Sequence, residues 1–290
     1  MTPGQARFEY ATDADPALNY CLWPYARPAP AEDKFRGINL LYQSFDHAGI
    51  HPGAFGFVEA IRDAIGPFRT VFGVKLLDQR LGWEFYFYDY ARRQRQVSIT
   101  RVLDALRHVA PCAIAVNESL PYFMFSLDLD DAVARGVRPL DVVHMYIGNP
   151  GSAVSSGIAY AVTDAGTRLD NFYFFFDAAT QLSNVAKKVC SSPYFDDTSL
   201  PLDRVVVPAL RQCQTICIAN KPTHDCIYFS GVTVTQLLWF LQFLSYPPSI
   251  TAFVRTNRDR FDHLLFDVGF DYRMEGDMLK ILKSGYYGVF

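Results

Sequence analysis

Charge is scarce in this 290-residue chain: Asp, Glu, Lys and Arg make up 20% of it, and 27 basic against 30 acidic side chains leave a net charge of −3. A nucleic-acid binder needs a basic stripe to displace the counterions of the phosphate backbone, so that class is excluded. Long apolar runs are lacking too. The most apolar helical stretch, 232–246, is interrupted by Gln236 and Gln242, stopped by Pro247-Pro248 and too short to span a bilayer. The opening MTPGQARFEYATDAD has neither the basic nor the apolar region of a secretory signal. Six cysteines without paired spacing make no disulfide framework. The expectation is a reduced, cytoplasmic monomer with neither membrane nor nucleic acid as partner. Phosphate-cradling loops (GxGxxG, GxxxxGKS/T), the GxSxG elbow and the HExxH pair are absent.

What is abundant is aromatic: 24 Phe, 17 Tyr and 3 Trp, 15% of the residues, within a hydrophobic share of 50%. Such a chain is not intrinsically disordered, and its length suits one large sandwich or barrel. Residues 1–34, with the stretch PYARPAPAEDK, lack periodicity and read as an irregular leader; 35–290 read as one domain. The spacing in 35–66 predicts helical pieces. Beyond it, short segments rich in Val, Ile, Phe and Tyr recur in pairs: 71–76 with 83–90, 122–130 with 142–147, 157–162 with 171–177, 215–219 with 226–230, and 270–274 with 279–290. Helical patterns at 98–109 (with Ser98 as N-cap), 178–190, 232–246 and 252–266 fall between most pairs, but only GNPGSAVSSG separates the second from the third. Several strands are apolar on both faces. Five hairpins therefore predict an α+β fold, a ten-stranded antiparallel β-barrel surrounded by α-helices. Ten strands enclose more space than their side chains fill, so the lumen should hold a ligand. A flat sheet covered by helices on one side is the alternative.

Strand alternation sorts the side chains. Glu84, Tyr86, Tyr88 and Tyr90 share a face opposite Trp83, Phe85 and Phe87. His144 goes with Tyr146, Tyr173 with Asn171, Tyr228 with Cys226, Asp271 with Arg273, and Lys283 with Gly285 and Tyr287; Lys75 is the only charge in GVKLL. Tyrosine with an occasional cation recurs on one face of successive strands. Such cations can bind an anion such as diphosphate, and phenol faces can surround a carbocation; amphipathic core filling is the plainer reading of the same residues. Asp128 and Asp130 point the same way and suit Mg²⁺ with a diphosphate, or else form a solvated strand end. Cys213, Cys217 and Cys226, with His224 near the hairpin turn, lack a zinc-knuckle spacing, and the cysteines read as small core residues.

The helical entry FDHAGIHPGAFGFVEAI, the hairpin VKLLDQRLGWEFYFYD with its strand lysine, the segments FSLDLDDAV and VVHMYIG, and the closing KSGYYGVF, without a DDxxD motif, carry a likeness. Over residues 45–290 the chain resembles the soluble ABBA-type aromatic prenyltransferases, most closely the cyanobactin peptide prenyltransferases. The resemblance implies transfer of an isoprenyl group, dimethylallyl from its diphosphate with Mg²⁺, to an electron-rich side chain of a peptide or to a small aromatic acceptor. Lys75 matches the family's first-hairpin diphosphate lysine, and Arg273, Lys283 and Tyr287 match its closing cationic and tyrosine positions. Where the family's fourth strand often carries Lys, this chain has Val143-His144. Where its acceptor carboxylate is expected stands Gly56, so Glu59, one turn on, or Glu84 would have to serve. The rival readings are a non-catalytic barrel that binds an apolar small molecule, with its tyrosines serving only for fit, and an interaction protein whose aromatics are all core.

Overall fold

Ten strands form where the paired aromatic and β-branched segments predict them, with ends shifted by a few residues. In the computed structural model, which describes residues 7–91, 94–112, 114–149 and 154–290, they are β1 (Thr70–Leu77), β2 (Arg80–Tyr88), β3 (Tyr122–Leu129), β4 (Val143–Gly148), β5 (Ser156–Thr163), β6 (Gly166–Asp177), β7 (Thr215–Asn220), β8 (Asp225–Thr233), β9 (Leu265–Glu275) and β10 (Met278–Val289). Asp78 and Gln79 join β1 to β2 with positive φ at both positions, 46° and 63°. That is the two-residue hairpin geometry that matches the right-handed twist of the strands.

Among the described residues eight α-helices accompany the sheet: α1 (Ile38–Ala48), α2 (Gly53–Ile65), α3 (Ile99–Leu106), α4 (Asp131–Ala134), α5 (Leu182–Cys190), α6 (Val234–Phe243), α7 (Pro248–Thr256) and α8 (Arg258–Phe261). Ser98 caps α3 as its sequence predicts, accepting from the Arg101 amide, and Thr233 with Gln236 closes a capping box on α6. The helix expected over 252–266 is instead two short ones. Its last apolar residues, Leu265 and Phe266, belong to β9, where they pair with Thr233 and Val232 of β8. None of the described helices is long and apolar enough to cross a membrane.

Every strand has two neighbours. β1 pairs with β2 on one side and with β10 on the other (Val71 opposite Val289), so the sheet closes into a barrel and the flat alternative is overturned. Closure removes the exposed edges that would otherwise invite association. The outward face carries Phe72, Val74, Phe85, Phe87, Phe125, Phe229 and Phe270, packed against Phe57, Val58, Ile61, Val102, Leu106, Phe240 and Leu241 of the helices. Each such side chain contributes about 1.5–3 kcal/mol on leaving water. The inward face holds a separate cluster built from Val71, Tyr86, Tyr88, Met124, Tyr146, Ala159 and Tyr287. The aromatic excess therefore divides, with most of the strand Phe outside and seven Tyr gathered inside, while Tyr122, Tyr272 and Tyr286 pack in the outer layer.

Residues 7–34 form no helix, only isolated bridges between Tyr10 and Phe35 and between Leu18 and Pro24. The segment is nonetheless pinned to the barrel's outer layer. Arg36 and Arg62 both donate to Glu9, and Arg36 also to Asp15.

Candidate functional site

Register brings the inward side chains into rings. Opposite one another around the barrel stand Lys75 and Gly285, Gly73 and Glu84, Glu84 and Asp128, Ser126 and His144, and Cys226 and Asp271. The charged members gather at the end of the lumen bounded by the hairpin turns. There Lys75 pairs with Glu84 and lies 3.5 Å from Asp128, and His144 sits between Asp128 (3.3 Å) and Asp170 (3.2 Å). Asp271 accepts from Lys221 at 2.9 Å and lies 3.0 Å from His224 and 3.5 Å from Lys283. Asp170 reaches this group because it is the extra residue of a β-bulge between the pairs Ala159–Asn171 and Tyr160–Leu169.

Four carboxylates thus face three lysines and two histidines. Burial works against every charge in the group, but opposite charges a few ångströms away outweigh it. Glu84 is held below its ordinary range by Lys75, and Asp271 well below by Lys221; Lys75 is held above its range by Glu84 and Asp128. Burial alone would keep His144 neutral, yet its bonds to Asp128 and Asp170 raise it to about 10, so it carries a proton at neutral pH. Lys283 is the exception. Burial, then Lys75 and Lys221, push its pKa down, because Asp271 at 3.5 Å compensates it incompletely. It is the least satisfied cation of the group.

Below the charges runs a belt of tyrosines, one from each even-numbered strand: Tyr86, Tyr146, Tyr173, Tyr228 and Tyr287. Ring centroids lie 5.8 Å apart for Tyr86 and Tyr287, 6.1 Å for Tyr287 and Tyr228, 6.5 Å for Tyr228 and Tyr173, and 5.9 Å for Tyr173 and Tyr146. Polar links close the circuit, since Tyr86 donates to Glu84 at 2.6 Å, Ser126 donates to Glu84, and Ser126 meets Tyr146 at 3.3 Å. The odd strands supply small residues at these levels: Gly73, Ser126, Ala159, Ala219 and Gly269. A Cβ on Gly73 would stand 2.7 Å from the Tyr287 ring, so that ring lies flat against β1 because residue 73 has no side chain. Gly73→Ala should accordingly cost about 1–3 kcal/mol in denaturant unfolding, and Tyr287→Ala in the same chain should recover most of it. Additive losses would show that the two positions do not touch.

The far end of the lumen is occupied by the chain's own N-terminal segment. The Tyr20 ring packs at 5.3 Å from Tyr86, 5.4 Å from Tyr287 and 6.0 Å from Tyr88. Beside it Asp267, 5% exposed, keeps Oδ1 without a partner. Burial raises its carboxyl to about 7, against the Ser230 hydroxyl and the Gly231 and Tyr20 amides, which favour the ion.

Of the residues singled out in the sequence, Lys75, Glu84, Tyr86, Asp128, His144, Tyr146, Tyr173, Tyr228, Lys283 and Tyr287 converge on this lumen, with Tyr88 deeper beside Tyr20. Three do not. Glu59 is exposed on α2, outside the barrel, where it pairs with Arg7 at 3.1 Å; a helix that covers the outer wall cannot present that face to the lumen. Asp130 follows the last residue of β3, caps α4 through the Val133 amide and binds Arg138 at 2.7 Å, so it does not join Asp128. Arg273 stays at the rim, bound to Glu275. The carboxylate that does stand with Asp128 is Glu84, its register partner, and no group of three or more metal-ligating side chains occurs among the described residues. Asp170, Lys221, His224, Asp267 and Tyr20 were not foreseen. Strand parity held a signal for Lys221 and Asp271, but none for a bulge residue or for a leader side chain that enters the barrel.

No protein-family model matches the sequence, and no curated protein matches it either. The fold does have solved counterparts. The crystal structure of the prenyltransferase PriB in its apo form superposes with a TM-score of 0.51 over 86% of this chain and 94% of that one, at 9% sequence identity. At that identity the likeness is one of fold: this chain is an ABBA-type barrel.

Proposed function

We propose that the chain is a prenyltransferase that moves a dimethylallyl group from its diphosphate to an electron-rich acceptor in the lumen. One observation carries the reading: three lysines and a protonated histidine converge at one end of a barrel lumen whose wall below them is a belt of five tyrosines. The other support is the shared fold with a prenyltransferase. An arriving diphosphate would replace Asp271 and Asp128 as counterion of Lys221, Lys283, Lys75 and His144, with the under-compensated Lys283 as the first contact. These cations stabilise the charge that grows on the leaving oxygen as the allylic C–O bond breaks. The phenol faces surround the allyl cation and keep water from it. The acceptor's carbon or heteroatom then bonds to the allyl carbon, and its proton passes to a carboxylate. Glu84 is the carboxylate in place, ionised and bonded to Tyr86 at the upper edge of the belt.

The donors present suit Mg²⁺, which takes one or two carboxylates and leaves its other positions to phosphate oxygens and water; Asp128 would hold it, and it would supply further neutralisation of the diphosphate. The acceptor is a peptide side chain or a small aromatic, as the likeness to the cyanobactin peptide enzymes implies. Incubation with dimethylallyl diphosphate, magnesium and a panel of tyrosyl, tryptophyl and free phenolic acceptors should release diphosphate and add one isoprenyl mass. Absence of both release and binding of the diphosphate would refute the reading.

A further inference from the structure

The N-terminal segment is built to put one side chain into the barrel. Residues 18–24 fold into a tight hairpin, with Leu18 bridged to Pro24 and the Asn19 amide bonded to the Trp23 carbonyl at 3.0 Å. Asn19 Oδ1 accepts from the Cys21 and Trp23 amides at 2.9 and 3.0 Å, and Leu22 turns through a positive φ of 57°. The tip is fastened to the wall where Tyr90 donates to the Cys21 carbonyl at 2.8 Å. The stem is fastened where the Leu265 amide donates to the Tyr25 hydroxyl at 3.0 Å. Together these bonds fix the ring of Tyr20 across the lumen.

Its depth follows from register. Tyr20 touches Tyr287, which pairs with Gly73, and Tyr86, which pairs with Val71. Gly73 and Val71 lie two and four residues below Lys75 on β1. The Lys75 ammonium reaches Glu84, which stands opposite Gly73; with a strand rise of about 3.4 Å and a barrel tilt of about 40°, a ring between the Gly73 and Val71 levels crosses the lumen within roughly 5 Å of that charge. Five carbons in an extended chain reach about 5 Å at the bond lengths of organic chains, and ten carbons about twice that.

We propose that Tyr20 is the floor of the prenyl pocket and limits it to a five-carbon chain, an assignment that rests on the prenyl diphosphate reading above. The chain length is then set by the leader and not by a strand of the barrel. The same ring, carried on a segment that is not part of the sheet, is open to change without disturbing any strand pair.

The test is calorimetric binding, with magnesium, of the non-cleavable thiolodiphosphates of dimethylallyl, geranyl and farnesyl alcohols and of inorganic diphosphate to the full chain. The intact protein should prefer the dimethylallyl analogue to the geranyl one by about tenfold or more, as steric exclusion of an isoprene unit demands. Tyr20→Ala should bring the two within about threefold while changing inorganic diphosphate little, and Tyr20→Phe should keep the original preference. Should the alanine variant fail to fold, Tyr20→Leu should shift the preference in the same direction by less. An unchanged order of chain lengths in the folded small-residue variants, with diphosphate still bound, overturns the role of Tyr20 alone. If neither inorganic diphosphate nor any analogue binds the intact protein, the prenyl diphosphate reading falls and takes this assignment with it.

Discussion

Lys75→Ala should abolish measurable prenyl transfer and, at the same time, cost the fold several kcal/mol. The first effect is electrostatic: removing one preorganised cation from a water-poor site lowers turnover by about 10²–10³. The second arises because Lys75 is also the counterion of Glu84, which is 4% exposed and keeps its charge chiefly through that lysine. Breaking a buried pair from one side leaves the other charge uncompensated and costs about 3–5 kcal/mol. Loss of activity in the single variant is therefore ambiguous by itself. Adding Glu84→Gln to Lys75→Ala removes the stranded charge, and denaturant midpoints should return most of the way to the original while binding of inorganic diphosphate, which does not call on the Glu84 carboxylate as a base, stays weakened. Glu84 in the single variant would also titrate upward, so the deficit should shrink as pH falls and its carboxyl protonates. A double variant that binds diphosphate as tightly as the parent would show that Lys75 serves only the fold.

Asp267→Asn should stabilise the protein at alkaline pH and leave it unchanged near pH 4. The carboxyl titrates at about 7 in the folded chain against an ordinary value of 3.8, chiefly because burial disfavours its charge. Between those values the unfolded chain releases its proton and the folded chain keeps it, so stability falls as pH rises through that window and levels off above it. Three pKa units correspond to about 4 kcal/mol, the upper bound of the gain from the neutral amide above pH 7. Thermal melts of both proteins from pH 4 to pH 8.5 should diverge upward for the variant. An asparagine protein less stable than the parent at pH 8 would mean that the floor of the barrel depends on the ionised carboxylate.

The barrel could be read from the sequence because its strands are punctuated by strong turns and its helices by caps. TDAGTRLD and EGD separate strands whatever surrounds them, and Ser98 caps its helix from three residues away. Face assignment was equally local, so the tyrosines of β2, β4, β6, β8 and β10 were grouped with the right neighbours. What stayed hidden depends on closure. Parity says that Lys75 and Glu84 face inward but not that β1 and β2 set them together, nor that Asp271 lies within reach of Lys221, His224 and Lys283. Glu59 misled because the spacing of α2 fixes a buried stripe without saying which layer it covers. Asp130 misled because alternation was carried one residue past the end of β3, into a helix cap. The leader was legible as irregular, and irregular chain gives no periodic sign of the one side chain it inserts.

The hydrogen-bonded seam between β1 and β10 has a consequence in time. The lumen exists only once the first strand of the ring has met the last, across nearly the whole domain, and contacts of that sequence separation are the slow ones in folding. Each hairpin forms locally and early, but none of them alone holds the charged end, which draws on β1, β2, β3, β4, β6, β9 and β10, or the tyrosine belt, which draws on β2, β4, β6, β8 and β10. In refolding, backbone order should therefore run ahead of ligand binding. The Tyr20 hairpin, which rests on wall residues from both sides of that seam, is set to dock last.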